Sequence, residues 1–301
     1  MALFKLPSGI SIRTFAAPPS TFNIDQANDS DRAAYGFPRL PAADASLQVL
    51  RESKARRYRL VEATFRPRNV RRRDLPKLKL DHTAETTPNW SGGITVPPAG
   101  DHLRWIEGNW PMPSAALPPN AQENVQYCAS AWVGMDGDDG SQDVLQAGCD
   151  ADITLSGGAT QHQYCPWWEW YPLDSQWITN MPVSPGDVLD CLINLQAGSN
   201  SAASIFLGNK TTNVGLTFAA EAPAGSTFAG NCAEWIIEAF GTLGPLANYN
   251  RVVFADCNAG SASGQTVTAG SGTTINMVDA SGNVVSTGTI PNPTEVQVSY
   301  V

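Results

Sequence analysis

The chain has 301 residues, a formal net charge of −9 and a hydrophobic content of 42%, enough for one well-buried core. Charge is unevenly spread: residues 1–80 hold 16 of the 19 Lys and Arg and seven of the 28 Asp and Glu, whereas residues 81–301 keep only Arg104, Lys210 and Arg251 against 21 acids. So acidic a part repels phosphate, which argues against a nucleic-acid partner, and no apolar run approaches the length of a membrane-spanning helix.

The first residues, MALFKLPSGISIRTFAAPPS, carry no apolar run of the kind that drives secretion. Residues 1–40 are rich in Pro, Ser, Asn and Ala and read as weakly ordered. The stretch 42–65 predicts a helix, with Asp44 as its N-cap and Leu47 and Leu50 on one face. RPRNVRRRDLPKLKL (66–80) reads as a basic linker broken by proline. Beside a strongly acidic domain, that linker has an obvious intramolecular partner. The expected division is residues 1–85 and residues 86–301.

From NWSGG (89–93) onward the texture changes to short alternating runs. ASAWVGM, DVLQAGC, WWEWYP, DVLDCLINL, SIFLGN, VGLTFAA and RVVFAD read as strands. TINMVD, ASGN and VVSTGTI read as a hairpin, and the terminal EVQVSYV puts Val296, Val298 and Tyr300 on one face. PMPSAALPPNAQ (111–122) reads as an exposed loop. Many short strands with turn punctuation, no long helix and no internal repeat predict an all-β sandwich of two antiparallel sheets.

All six cysteines fall in the acidic part. An even number is compatible with disulfides, but the pairing is illegible. No CxxC or Cys/His array suggests zinc, and no cofactor is expected. There is no GxSxG motif and no pair of Asp-Thr/Ser-Gly motifs, so neither serine-hydrolase nor aspartic-dyad chemistry fits. Acid and amide groups remain. In CAEWIIEAF (232–240), Glu234 and Glu238 share a face, but a strand separates them by roughly 13 Å. Each therefore needs its own partner. Gln146 in VLQAGCD shares a face with Gly148, which leaves room for a ligand to approach. Asp136, Glu169 and Trp132, Trp167, Trp168, Trp170 and Trp235 suggest an aromatic-walled groove for a sugar or a peptide.

ASAWVGMDG (129–137), VLQAGCD (144–150), WWEWYP (167–172) and AEWIIEAF (233–240), in that order and followed by SYV, resemble the glutamic peptidases, or eqolisins. The resemblance covers about residues 89–301 and extends to layout, with a basic pro-segment ahead of an acidic domain. It implies a lectin-like sandwich of two antiparallel sheets and an acid endopeptidase that is insensitive to pepstatin. It also implies a catalytic pair of Gln146 and Glu238, with Trp132, Asp136, Glu169, Trp167, Tyr171 and Glu234 binding substrate or supporting the pair. Cys165 stands where relatives carry an Asp, which bears on the hydrogen bonding near Glu169. The family is typically secreted, which implies an extracellular monomer acting on protein or peptide substrates.

The chemistry suits those residues. An ionised Glu238 takes a proton from water as it attacks a peptide carbonyl, then returns it to the leaving amine. Gln146 offers an N–H to the oxyanion and an oxygen to orient the water. Two alternatives use the same residues. A glycoside hydrolase would pair Glu169 with Glu238 or Glu234, but the E-x-D-x-x-E strand motif of sandwich glucanases is absent. A carbohydrate-binding domain leaves Gln146 and the basic segment unexplained. In the peptidase reading, lysines and arginines of residues 1–85 lie against Glu238, Glu169 and Asp136. They are expected to release as the acids protonate near their usual range, roughly pH 4, and to release more readily in salt.

Overall fold

A computed structural model of the chain describes residues 2–6, 9–68, 85–137, 141–239 and 245–301. Its amino-terminal segment holds β1 (Ala2–Lys5), β2 (Ser11–Thr14), α1 (Asp29–Ala34), α2 (Ala45–Arg57), β3 (Arg59–Val61) and β4 (Phe65–Pro67). The regular structure of the remainder is almost wholly strand. It comprises β5 (Glu85–Thr87), β6 (Trp90–Thr95), β7 (Leu103–Pro111), β8 (Gln126–Met135), β9 (Val144–Ser156), β10 (Ala159–Tyr171), β11 (Gln176–Ile178), β12 (Val188–Leu195) and β13 (Ala202–Asn209). It continues with β14 (Val214–Glu221), β15 (Ala233–Glu238), β16 (Arg251–Ser261), β17 (Thr266–Thr268), β18 (Thr273–Val278), β19 (Val284–Asn292) and β20 (Glu295–Tyr300).

The pairings give the predicted sandwich. One layer runs β4-β11-β10-β9-β8-β15-β6-β18, and the other runs β20-β16-β7-β12-β13-β14-β2-β1. The hairpin predicted at 274–290 forms, and its second strand β19 pairs with both β18 and β20, joining the layers. Among the described residues the strands pair antiparallel except where β3 meets β14 and β5 meets β18, with isolated parallel bridges at Glu123–Leu155 and Cys128–Leu246. The main core lies between the layers and takes one alternate set of side chains from most of the long strands, β8, β9, β10, β12, β13 and β15 among them. Trp235 of β15 points into this core and lies against the bare Gly108 of β7, with its indole N–H donating to Glu107 O at 2.9 Å. A Cβ on Gly108 would stand 2.9 Å from that indole, so glycine at this position is what lets the layers close.

The amino-terminal segment is more ordered than its composition suggests. β1 and β2 form a hairpin, and Ile10, Ile12, Ile24 and Phe37 are buried. The predicted helix is present over Ala45–Arg57, after a single 3-10 turn at Ala42–Asp44. Asp44 does occupy the N-cap position, but its side chain makes no capping bond. Leu47 is buried in a cluster with Tyr58, Trp105, Leu192 and Phe206, so α2 covers the outer face of the second layer. Beneath it, Lys54 Nζ donates to Asp190 Oδ1 at 2.7 Å and lies 3.6 Å from Glu107 Oε2, while Tyr58 Oη donates to Asp190 Oδ2 at 2.7 Å. The proline-rich 111–122 stretch is only partly the exposed loop expected, because Met112 and Ala115 are buried in the core. Most of the basic linker, 69–80, lies outside the described residues.

The Lys54 ion pair is buried on both sides, so removing one partner strands a charge. Lys54→Ala is expected to destabilise the full chain by roughly 3–5 kcal/mol, read as a lowered urea midpoint. An effect below about 1 kcal/mol would mean that the helix is held by its apolar contacts alone.

Candidate active site

The site is set out by pairing register. β15, β8, β9 and β10 are neighbours, and their cross-strand partners form rows on the outer face of the first layer. One row is Glu238–Ser130–Asp150–Cys165, the next is Ile236–Trp132–Gly148–Trp167, and the third is Glu234–Gly134–Gln146–Glu169. The residues between them, such as Trp235, Val133, Ala147, Trp168 and Trp170, face the core. The structure therefore brings Gln146, Glu169, Glu234, Glu238, Trp132 and Trp167 onto one surface and removes Trp168, Trp170 and Trp235 from the expected groove wall. Tyr171, two residues beyond Glu169 on β10, is half-buried against the apolar residues of that surface.

Trp132 sits at the centre. Gly148 lies directly opposite it, and a Cβ there would stand 2.4 Å from Trp132 Cβ and 2.3 Å from Ala131 O. The space beside Gln146 thus belongs to the protein's own tryptophan, not to a ligand, which corrects the sequence reading of Gly148. The far edge of the indole passes over Gly134 beside Gln146, where a Cβ would meet Trp132 Cζ3 at 2.9 Å and Gln146 Cβ at 3.0 Å. Its Nε1 donates to Glu238 Oε2 at 3.0 Å. The indole therefore spans the interval between the row of Gln146 and the row of Glu238. Trp90 packs edge-on against it at 5.0 Å.

Each polar group has a defined partner. Gln146 Nε2 donates to Glu169 Oε2 at 3.0 Å, which fixes the carboxamide orientation. Gln146 Oε1 is buried and accepts no hydrogen bond from the described residues. Asn89 Nδ2 approaches Glu238 Oε1 at 3.4 Å, a contact that sequence reasoning missed although NWSGG marks the start of the domain. Glu234 Oε1 accepts a weak bond from Cys232 Sγ at 3.3 Å. By register Glu234 lies closer to Gln146 than Glu238 does, with one glycine between.

Asp136 has a different role from the lining one expected. Its backbone is left-handed, with φ of 67°, and its carboxylate turns away to accept the N–H groups of Ala229 (2.8 Å) and Asn231 (2.7 Å). It ties the end of β8 to the loop that leads into β15. Burial pushes its pKa up to about 7, against the pull of those backbone donors. Asp150, which sequence reasoning did not single out, is wholly buried and accepts from Ser130 Oγ (2.8 Å), Trp177 Nε1 (3.2 Å) and Arg68. Arg68, the last described residue of the basic stretch, pairs with Asp150; the rest of that stretch, expected against Glu238, Glu169 and Asp136, lies outside the described residues. Cys165 is opposite Asp150, two residues from the Trp167 row. Burial pushes its thiol up to about 11, with the charge of Asp150 adding to the shift. All six cysteines are free, so the expected disulfides find no support in the structure.

The sequence profile of the Peptidase A4 family matches residues 88–300. The chain belongs to that family. Aspergillopepsin-2 of Aspergillus niger is 30% identical over 74% of this chain and 82% of its own length. Scytalidopepsin B of Scytalidium lignicola is 31% identical over 58% of this chain and 64% of its own length. Among solved structures, scytalido-glutamic peptidase with a transition state analog inhibitor superposes with a TM-score of 0.57 at 26% identity, covering 71% of this chain and 98% of that one. Aspergilloglutamic peptidase from Aspergillus niger gives a TM-score of 0.50 at 31% identity, covering 58% and 99%. The protein is a glutamic endopeptidase of the eqolisin type.

Asp136 generates a pH prediction. Its folded pKa lies above the unfolded value near 3.8, so the folded state holds the proton more tightly, and stability falls as pH rises from about 4 to about 7. The contribution is at most roughly 4 kcal/mol. Thermal melts of the wild type should drop across that window, and those of Asp136→Asn should be flatter. Parallel profiles would remove Asp136 as the titrating group.

Proposed function

We propose that the chain cleaves peptide bonds at acid pH through Gln146 and Glu238, without metal or covalent intermediate. The observation that carries the reading is the Trp132 indole lying between the two, with its N–H on the Glu238 carboxylate and its far edge beside Gln146. Glu238, oriented by Trp132 and Asn89, removes a proton from water attacking the carbonyl carbon and later passes it to the leaving nitrogen. Gln146 is oriented by Glu169, which leaves its second amide hydrogen for the developing oxyanion. Its buried Oε1 requires a donor, and the attacking water supplies one. Glu169 and Asp136 act as positioning residues, and Trp167 and Tyr171 line the groove.

The same reading treats residues 1–85 as a pro-region. It is supported by position, since the segment precedes the matched region, and by its reach to both outer faces through Lys54 and Arg68. The two ion pairs are buried, with side-chain exposures of 8% and 5% for Lys54–Asp190 and 0% and 1% for Arg68–Asp150. Salt screens these two buried pairs weakly; the basic residues 69–80, on which the expected release by acid and salt mainly rests, lie outside the described residues. Action as an extracellular monomer on protein or peptide substrates belongs to the same reading, and the six free cysteines lend it no disulfide support.

A second assignment has its own observation: Glu234 shares the row of Gln146. Variants separate the two. Glu238→Gln and Gln146→Ala should each lower kcat on denatured casein at acid pH by about 10²–10⁴-fold while leaving the thermal melt in place, and Glu234→Gln should cost far less in kcat. An inactive Glu234→Gln beside an active Glu238→Gln would transfer the base role to Glu234.

Casein cleavage should persist in pepstatin. Incubating the full chain at acid pH, followed by amino-terminal sequencing, should yield a product beginning between Leu80 and Asn89. Complete inhibition by pepstatin, or activity confined to neutral pH, would overturn the mechanism.

A further inference from the structure

We propose that the corner of the outer face formed by Asp150, Trp167 and Trp177 is a substrate subsite for an arginine side chain, which Arg68 occupies as a substrate arginine would. The inference rests on the peptidase reading and adds the class of side chain that one part of the groove accepts.

The backbone arrives as a substrate strand would. β4 adds to the edge strand β11 in antiparallel register, with Phe65 opposite Ile178, Arg66 opposite Trp177 and Pro67 opposite Gln176. The Arg68 N–H continues the ladder to Ser175 O at 2.9 Å. Strand addition of this kind recognises an extended peptide through its main chain and leaves side-chain pockets to set specificity.

The pocket beyond that edge fits a guanidinium. Arg68 is buried, and its Nε and Nη2 donate to Asp150 Oδ2 (2.8 Å) and Oδ1 (2.5 Å), while Nη1 approaches Ser175 Oγ at 3.4 Å. The guanidinium carbon lies 4.5 Å from the Trp167 ring centroid. A planar fork on a carboxylate, stacked on an aromatic face, suits arginine and not lysine. The pocket is itself held in shape: Trp177 Nε1 and Ser130 Oγ donate to Asp150, and Trp167 Nε1 donates to Ser130 Oγ at 2.8 Å. Arg66, two residues earlier, stacks on Trp177 at 4.3 Å.

Two further facts tie this corner to substrate. Ser130 is the cross-strand partner of both Asp150 and Glu238, so the pocket opens on the face of the proposed base, with β8 between them. In addition, residues 81–301 contain only three Lys and Arg, and Arg68 comes from outside them. Once the pro-region leaves, Asp150 is a buried carboxylate whose bound cation has gone, and a buried charge left unpaired is costly. An incoming arginine restores the pair.

The test uses the full-length protein incubated at acid pH, with casein cleavage as the check on peptidase activity. A peptide library is scanned for cleavage, and kcat and KM are measured for the best arginine peptide and for its Gln and Lys counterparts. The arginine peptide should show kcat/KM at least about tenfold above the Gln peptide, mostly through KM, with the Lys peptide between them. Asp150→Asn should bring the ratio close to one. Trp177→Leu, at the half-buried edge and less disruptive to folding, should lower the ratio several-fold. Casein cleavage without an arginine preference, or a preference unchanged in both variants, overturns the subsite and leaves the peptidase standing. Failure to cleave casein overturns the peptidase reading and the subsite with it.

Discussion

The structure depends on the register between β15, β8, β9 and β10, which runs without interruption through the site. Side chains alternate along a strand, so a pairing fixes both what faces the core and what faces the groove. A slip of one residue would send Gln146 and Glu238 into the core and bring Ala147 and Ile237 outside. Core and site are therefore two sides of one constraint. The large inward residues, Trp168, Trp170 and Trp235, hold in register the strands whose outward residues carry the proposed chemistry. Asp136 extends this at the end of β8, where it pins the loop entering β15.

With few basic residues at hand, the domain solves the problem of buried acids with neutral donors. A buried carboxylate needs partners, and here they are backbone N–H groups for Asp136, the Trp170 indole for Asp143, the Trp132 indole for Glu238 and the Gln146 amide for Glu169. Such partners keep their hydrogens at every working pH. Acidification therefore dismantles few ion pairs within the domain. It also relieves Asp136, Asp143, Asp152 and Glu107, each of which burial pushes upward. The tryptophan richness of this chain accordingly has an electrostatic use as well as a packing one.

Much of this was legible in the sequence, and what was not has identifiable causes. The strands, the terminal hairpin and the shared face of Glu234 and Glu238 follow from period-two alternation, and the structure has them. Alternation also carries the error in the groove wall, since Trp168 and Trp170 neighbour outward residues and so face inward, which a strand assigned a site as a whole conceals. Gly148 was read as space for a ligand because spacing does not reveal which neighbour fills a missing Cβ, and it is Trp132. The order of residues 9–40 was missed because its apolar residues are sparse and aperiodic. They are buried by contact with the distant second layer, which no local pattern records. Asp150 was passed over because its partner is 82 residues away in the chain.

The amino-terminal segment is bound in a way that makes its departure more than an uncovering. It closes the β14 edge through β2 and β3 and the β11 edge through β4. Open edges are liabilities for a β-protein, since their unpaired N–H and C=O groups recruit other chains. A segment that completes these edges protects the sandwich during folding, when strands far apart in sequence have yet to pair. Its removal, part of the proposed maturation, frees the β11 edge beside the catalytic face, where an extended peptide can take the place of β4. In that proposed maturation the same backbone groups serve two successive occupants, first the chain's own strand and then the substrate's. That is why the side chain arriving with β4 indicates what the adjoining pocket is shaped to hold.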